Sequence, residues 1–141
     1  MVGRNVSQFA GAVPLAAATD GNRLIGKARI YDAASVLAMA RSGNINLWSS
    51  GARRDAAKWS LDTENLAELL VLALQHGRFL GAEWCQSKSN GPWAACEAWV
   101  VTRAEWNQNA AKNLQMTYYL KFAIAKTGKL LLMASNHPEG T

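Results

Sequence analysis

Three side chains near the C-terminus, Tyr119, Lys121 and His137, are of the types that move protons and stabilise developing negative charge. Cleavage of RNA by its own 2′-hydroxyl requires one group to take the 2′-OH proton, a cation to face the phosphorane, and an acid for the departing 5′-oxygen. Tyr119 or His137 suits the first role, Lys121 or an arginine the second, and His137 the third. Arg78, Gln86, Lys88 and Arg103 stand on or at the ends of neighbouring strands, where they can hold substrate. Singly, each residue has a plainer reading: a solvated strand lysine, a packing tyrosine, a histidine that ends a strand before Pro138.

A closing hairpin has to bring the three together. Tyr118, Leu120, Phe122 and Ile124 alternate with Tyr119, Lys121, Ala123 and Ala125, the strand pattern that sends one set to the core. The loop is Lys126-Thr127-Gly128. A two-residue turn forces β-branched Thr127 to positive φ, whereas a three-residue loop asks this only of Gly128. The three-residue loop sets Ala125 opposite Lys129, places Tyr119 and Lys121 on one face with Ser135 and His137, and gives the core Leu130, Leu132 and Ala134. An even-numbered loop moves His137 to the other face.

Upstream, residues 1–28 lack periodicity and are rich in glycine, so they read as an arm, loosely ordered or with one short strand near Arg23 to Ile30. Residues 29–141 read as a single α+β domain. Asp32 caps a first helix that stops at Gly43. Ile45 to Trp48 is a brief extended piece, and Gly51 to Trp59 a short helix. The strongest local signal is the helix opened by Asp62, with Leu61 and Leu66 as a hydrophobic staple and Gly77 as its stop. Arg78 to Gln86 and Trp93 to Val101 read as an antiparallel pair around the turn Ser89-Asn90-Gly91-Pro92. Thr102-Arg103-Ala104-Glu105 has capping-box spacing and predicts a helix to about Asn113.

The chain has 141 residues, 15 Lys+Arg, 10 Asp+Glu and a net charge of +5. That size suits one domain, and the charge favours a polyanionic partner. The middle third is acidic and its flanks basic, so a basic surface must be assembled in three dimensions. Phosphate-loop, dinucleotide-fold, HExxH and GxSxG motifs are absent, which removes several enzyme classes. Cys85 and Cys96 read as reduced structural thiols. Joined with His76 and His137 they match no standard zinc spacing, and no cofactor is expected. No apolar run reaches membrane-span length, and the apolar stretch from Phe9 to Ala18 is broken by Pro14 and makes a poor export signal, so a cytoplasmic location is expected. Of the six tryptophans, most read as core or half-core residues.

The capped helix from Leu61-Asp62, then Arg78-Phe79, Trp93 in a central strand, Tyr119-Leu120-Lys121 and Leu131-Leu132-Met133-Ala134-Ser135 together resemble the MqsR group of type II toxins within the RelE superfamily. The resemblance covers roughly residues 32–137. It implies a small curved antiparallel sheet with helices packed on it, RelE-like, and an mRNA interferase that works alone or with the ribosome. It also implies neutralisation by a cognate antitoxin protein, with Lys, Gln, Tyr and Arg or His side chains as the catalytic set. Tyr119 and Lys121 match the family's Tyr-Leu-Lys strand, and His137 falls where a terminal basic residue is expected. Two departures stand out: Leu80, Gly81 and Ala82 follow Phe79 where the family has a lysine, and Ala94 and Ala95 follow Trp93 in place of polar residues. The competing reading is a non-catalytic RNA- or protein-binding module on the same scaffold, in a regulatory or phage-defence role.

Overall fold

A computed structural model describes residues 3–14 and 23–139, so residues 15–22 of the arm and the end of the Phe9 to Ala18 stretch lie outside it. Three helices, α1 (Ala33–Arg41), α2 (Ser50–Lys58) and α3 (Thr63–His76), accompany six strands. These are β1 (Leu24–Gly26), β2 (Ile45–Leu47), β3 (Arg78–Gln86), β4 (Trp93–Asn107), β5 (Lys112–Ile124) and β6 (Leu131–Pro138). The fold is α+β, as expected. The helix boundaries follow their caps: Asp32, Ser49 and Asp62 each accept a backbone N–H from the first turn.

The sheet runs β1-β3-β4-β5-β6-β2 and is not wholly antiparallel. The edge strand β2 lies parallel to β6, with Leu47 beside Met133. A parallel pair needs a long crossover, and here everything from α2 to β5 supplies it. One face carries the helices: Arg103 reaches Asn65 of α3, and the Asn136 amide donates to Ala52 O of α2. Leu66, Leu69 and Leu70 are buried there in the same core as Trp99, Leu120, Phe122 and Met133. The sheet curls far enough that Ser50 N at the start of α2 donates to Ser87 O, just past the far end of β3.

The helix expected over Thr102 to Asn113 does not form. β4 runs straight on to Asn107, and β5 pairs with it from Lys112 onward. Cross-strand pairing replaces the capping box, and the Thr102 hydroxyl bonds to the Thr117 hydroxyl at 2.8 Å across the ladder.

Two further features hold the strands in register. Glu97, fully buried on β4, accepts from Arg29 Nε, Ile30 N, Tyr31 N and Trp99 Nε1 at 2.8 to 3.1 Å. It ties the segment before α1 to the middle of the sheet. The N-terminal arm carries its short strand as β1, and its first described piece is built into the sheet. Val6 N donates to Trp93 O and Gln8 N to Ile124 O, so the arm runs between the start of β4 and the end of β5. Ser7 is buried in that seam, where its hydroxyl accepts from Ala95 N.

Candidate functional site

The hairpin loop is even-numbered after all. Ala125 N donates to Leu130 O, leaving four residues, Lys126 to Lys129, in the loop, with Gly128 at φ +74. The expected pairing of Ala125 with Lys129 is therefore replaced, and Leu131 and Met133 join Phe122 and Ile124 on the helix-bearing face. Taken alone, this shift carries His137 away from Tyr119. A β-bulge reverses it: Lys121 pairs with Ser135 and Phe122 with Met133, so Ala134 is an extra residue. Beyond the bulge Tyr119 again faces His137, and Tyr119, Lys121, Ser135 and His137 share the face opposite the helices.

On that face the Tyr119 and His137 rings lie 5.6 Å apart with planes at 31°. Lys121 Nζ sits 5.4 Å from the centre of the Tyr119 ring. It also makes an ion pair with Glu83 Oε1 at 2.5 Å, both side chains being about one-fifth exposed. Glu83 comes from β3, and Cys85 on the same strand and Cys96 on β4 complete the cluster. His137 Nδ1 lies 3.0 Å from Pro138 O, which orients the imidazole.

The surroundings set protonation. Burial pushes the Tyr119 phenol up, the Glu83 carboxylate adds to the effect and Lys121 opposes it, so the hydroxyl remains a proton donor at neutral pH. For Lys121 burial acts against the charge, but the Cys85 sulfur and the Glu83 carboxylate outweigh it and hold the ammonium above its ordinary range. A hydrogen bond from Cys96 brings the Cys85 thiol down against the effect of burial, with Lys121 adding to the pull. Cys96, a fully buried free thiol, is pushed up by its neighbour Cys85 and by burial.

The other residues chosen from the sequence scatter. Arg78 begins β3 in the row Arg78, Val100, Tyr119, His137, two strands from Tyr119 and so about 10 Å away. Its side chain is exposed beside His76 and Glu139. Gln86 ends β3 and Lys88 follows it, and both line a polar cleft of about 300 Å³ with Arg23 and Ser50. Arg103 is on the helix-bearing face, bonded to Glu105 at 2.8 Å and stacked over Tyr118, and does not approach Tyr119. Trp84, Trp93 and Trp99 are buried, whereas Trp106, on the β4–β5 extension, is 63 % exposed. Among the described residues no three His, Cys, Asp or Glu side chains converge as metal ligands, so Cys85, Cys96, His76 and His137 do not assemble.

Glu83 was not among the residues expected at the site, and the reason is local. Simple alternation puts Glu83 on the face of Phe79, which packs on Trp99. A bulge between Phe79 and Gly81 flips the rest of β3, with Gly81 at φ +146 accommodating it. That glycine is the one signal in the sequence.

No helix of the described residues is long and apolar enough to cross a membrane. Compared with known proteins, the chain matches no family model, no curated protein and no solved structure.

Proposed function

We propose that the protein is an endoribonuclease that cuts single-stranded mRNA by 2′-hydroxyl attack, a toxin held in check by a cognate antitoxin. In this reading the curled sheet is a divergent form of the RelE-like one. The observation that carries the proposal is the meeting of Tyr119, Lys121, His137 and Glu83 on one sheet face. Glu83 takes the 2′-OH proton, Lys121 faces the charge on the phosphorane, the Tyr119 hydroxyl donates to a nonbridging oxygen, and His137 protonates the departing 5′-oxygen. These are roles that side chains alone can fill.

Expression of the wild-type chain should arrest growth, and the purified protein should cut RNA with EDTA present. Tyr119→Phe and His137→Ala variants that keep the wild-type melting temperature should lose both properties, with cleavage down about 10²-fold or more. Equal cleavage by the His137→Ala variant removes the acid and with it this mechanism.

A second reading has its own support: the Lys121 ammonium is already matched by Glu83. A module that binds RNA or protein without catalysis fits that neutralised pair. Bound but intact RNA in the same assay selects it.

A further inference from the structure

Beside the site lies an apolar groove of about 360 Å³, walled by Leu24, Leu80, Ala98 and the Tyr119 ring and ending at Glu83. That volume falls at the lower end of ligand pockets, which span about 300–1,000 Å³. Leu24 stands opposite Glu83 on the edge strand β1 and is 69 % exposed, a large aliphatic side chain with little of its own surface covered. At the rim Lys27 lies over the groove with Nζ 3.4 Å from Leu80 O. The groove thus combines apolar walls with one carboxylate and one lysine, Lys27, in its lining.

We infer that this groove seats a nucleobase of single-stranded RNA, next to the phosphate that Lys121 faces. The inference rests on the endoribonuclease reading above and names the subsite that positions its substrate. A base has the matching chemistry: π-faces for Leu24 and the Tyr119 ring. Glu83 Oε1 holds Lys121, and Oε2 stays available for the 2′-OH proton, so the groove holds the base by its faces. The phosphates on either side of the base run toward Lys27 and Lys121, where the charges are complementary.

The probe is a 2′-O-methyl RNA 12-mer, which lacks the attacking hydroxyl and is not consumed, with its bases replaced one at a time by abasic units. For the wild-type protein, binding by fluorescence anisotropy should fall at least about fivefold at one position, as expected when a stacked base is lost. Leu24→Ala should weaken the intact 12-mer by a similar factor and should no longer sense that position, while Leu24→Met keeps the wild-type profile. Leu24 is exposed, so the variants should melt with the wild type. A Leu24→Ala profile identical to the wild type, in a protein that still binds and cuts RNA, overturns the base subsite and leaves the nuclease standing. A wild-type protein that neither binds nor cuts RNA overturns both.

Discussion

Lys121 is held from two sides. Glu83 grips its ammonium, and the Cys85 thiol beside it is brought down by its neighbour Cys96. The cation thus keeps its proton at any pH where RNA is handled, and Tyr119, pushed up by burial, keeps its own. The same coupling has a chemical consequence at Cys85. Only the thiolate is alkylated, so a lowered pKa moves the onset of labelling to lower pH. Cys85 should therefore react with iodoacetamide below the usual thiol range near 8.5, and Cys96, buried and pushed up, should label only on unfolding. Lys121→Met removes the neighbouring positive charge and should shift the Cys85 profile upward. Mass spectrometry of labelled peptides against pH reads this, and an unchanged Cys85 profile in the variant contradicts the coupling.

The strands place these side chains, and Glu97 keeps the strands in place. Its carboxylate is fully buried, with Arg29 as counter-ion and three further donors around it. Removing the carboxylate leaves the Tyr31 N–H and the Trp99 indole N–H buried and unpaired, at about 1–3 kcal/mol apiece, while the more exposed Arg29 turns to water. Glu97→Ala should lose about the sum of the two in chemical denaturation, and a loss below about 1 kcal/mol would show that the segment before α1 docks by other means.

Local rules read well where local forces decide. The Asp62 cap, the Leu61 to Leu66 staple and the stop at Gly77 mark α3 from Thr63 to His76 as read from the residues. The same rules failed at Thr102-Arg103-Ala104-Glu105, where pairing with the Lys112 to Thr117 stretch of β5 outweighed a sequence motif worth about 1 kcal/mol. Bulges were the other blind spot. Tyr119, Lys121 and His137 share a hairpin face although the three-residue loop does not form, since an even loop and a bulge at Ala134 cancel. Glu83 escaped notice through the bulge at Gly81. A period-two pattern cannot count an extra residue, and the pairing that absorbs it is non-local.

Seen whole, the molecule sets a curled six-stranded sheet against three helices on one face and leaves the proton-transfer groups on the other. The acidic middle of the sequence goes largely into structure: Glu97 into the core, Glu68 and Glu105 onto Arg103, and Asp62 into a helix cap. Glu83 is the acid of that stretch that the fold turns toward Lys121 and Tyr119. In the proposed reading this face, with its carboxylate, ammonium, phenol and imidazole, meets an extended RNA strand. The chemistry of the products decides whether that face is a nuclease. Purified protein incubated with a single-stranded RNA in EDTA should yield 5′-hydroxyl fragments whose partner ends are 2′,3′-cyclic phosphates, and a single 2′-deoxy substitution at the cut should abolish cleavage. RNA left intact, or fragments bearing 5′-phosphates, would contradict 2′-hydroxyl attack at Tyr119, Lys121, His137 and Glu83.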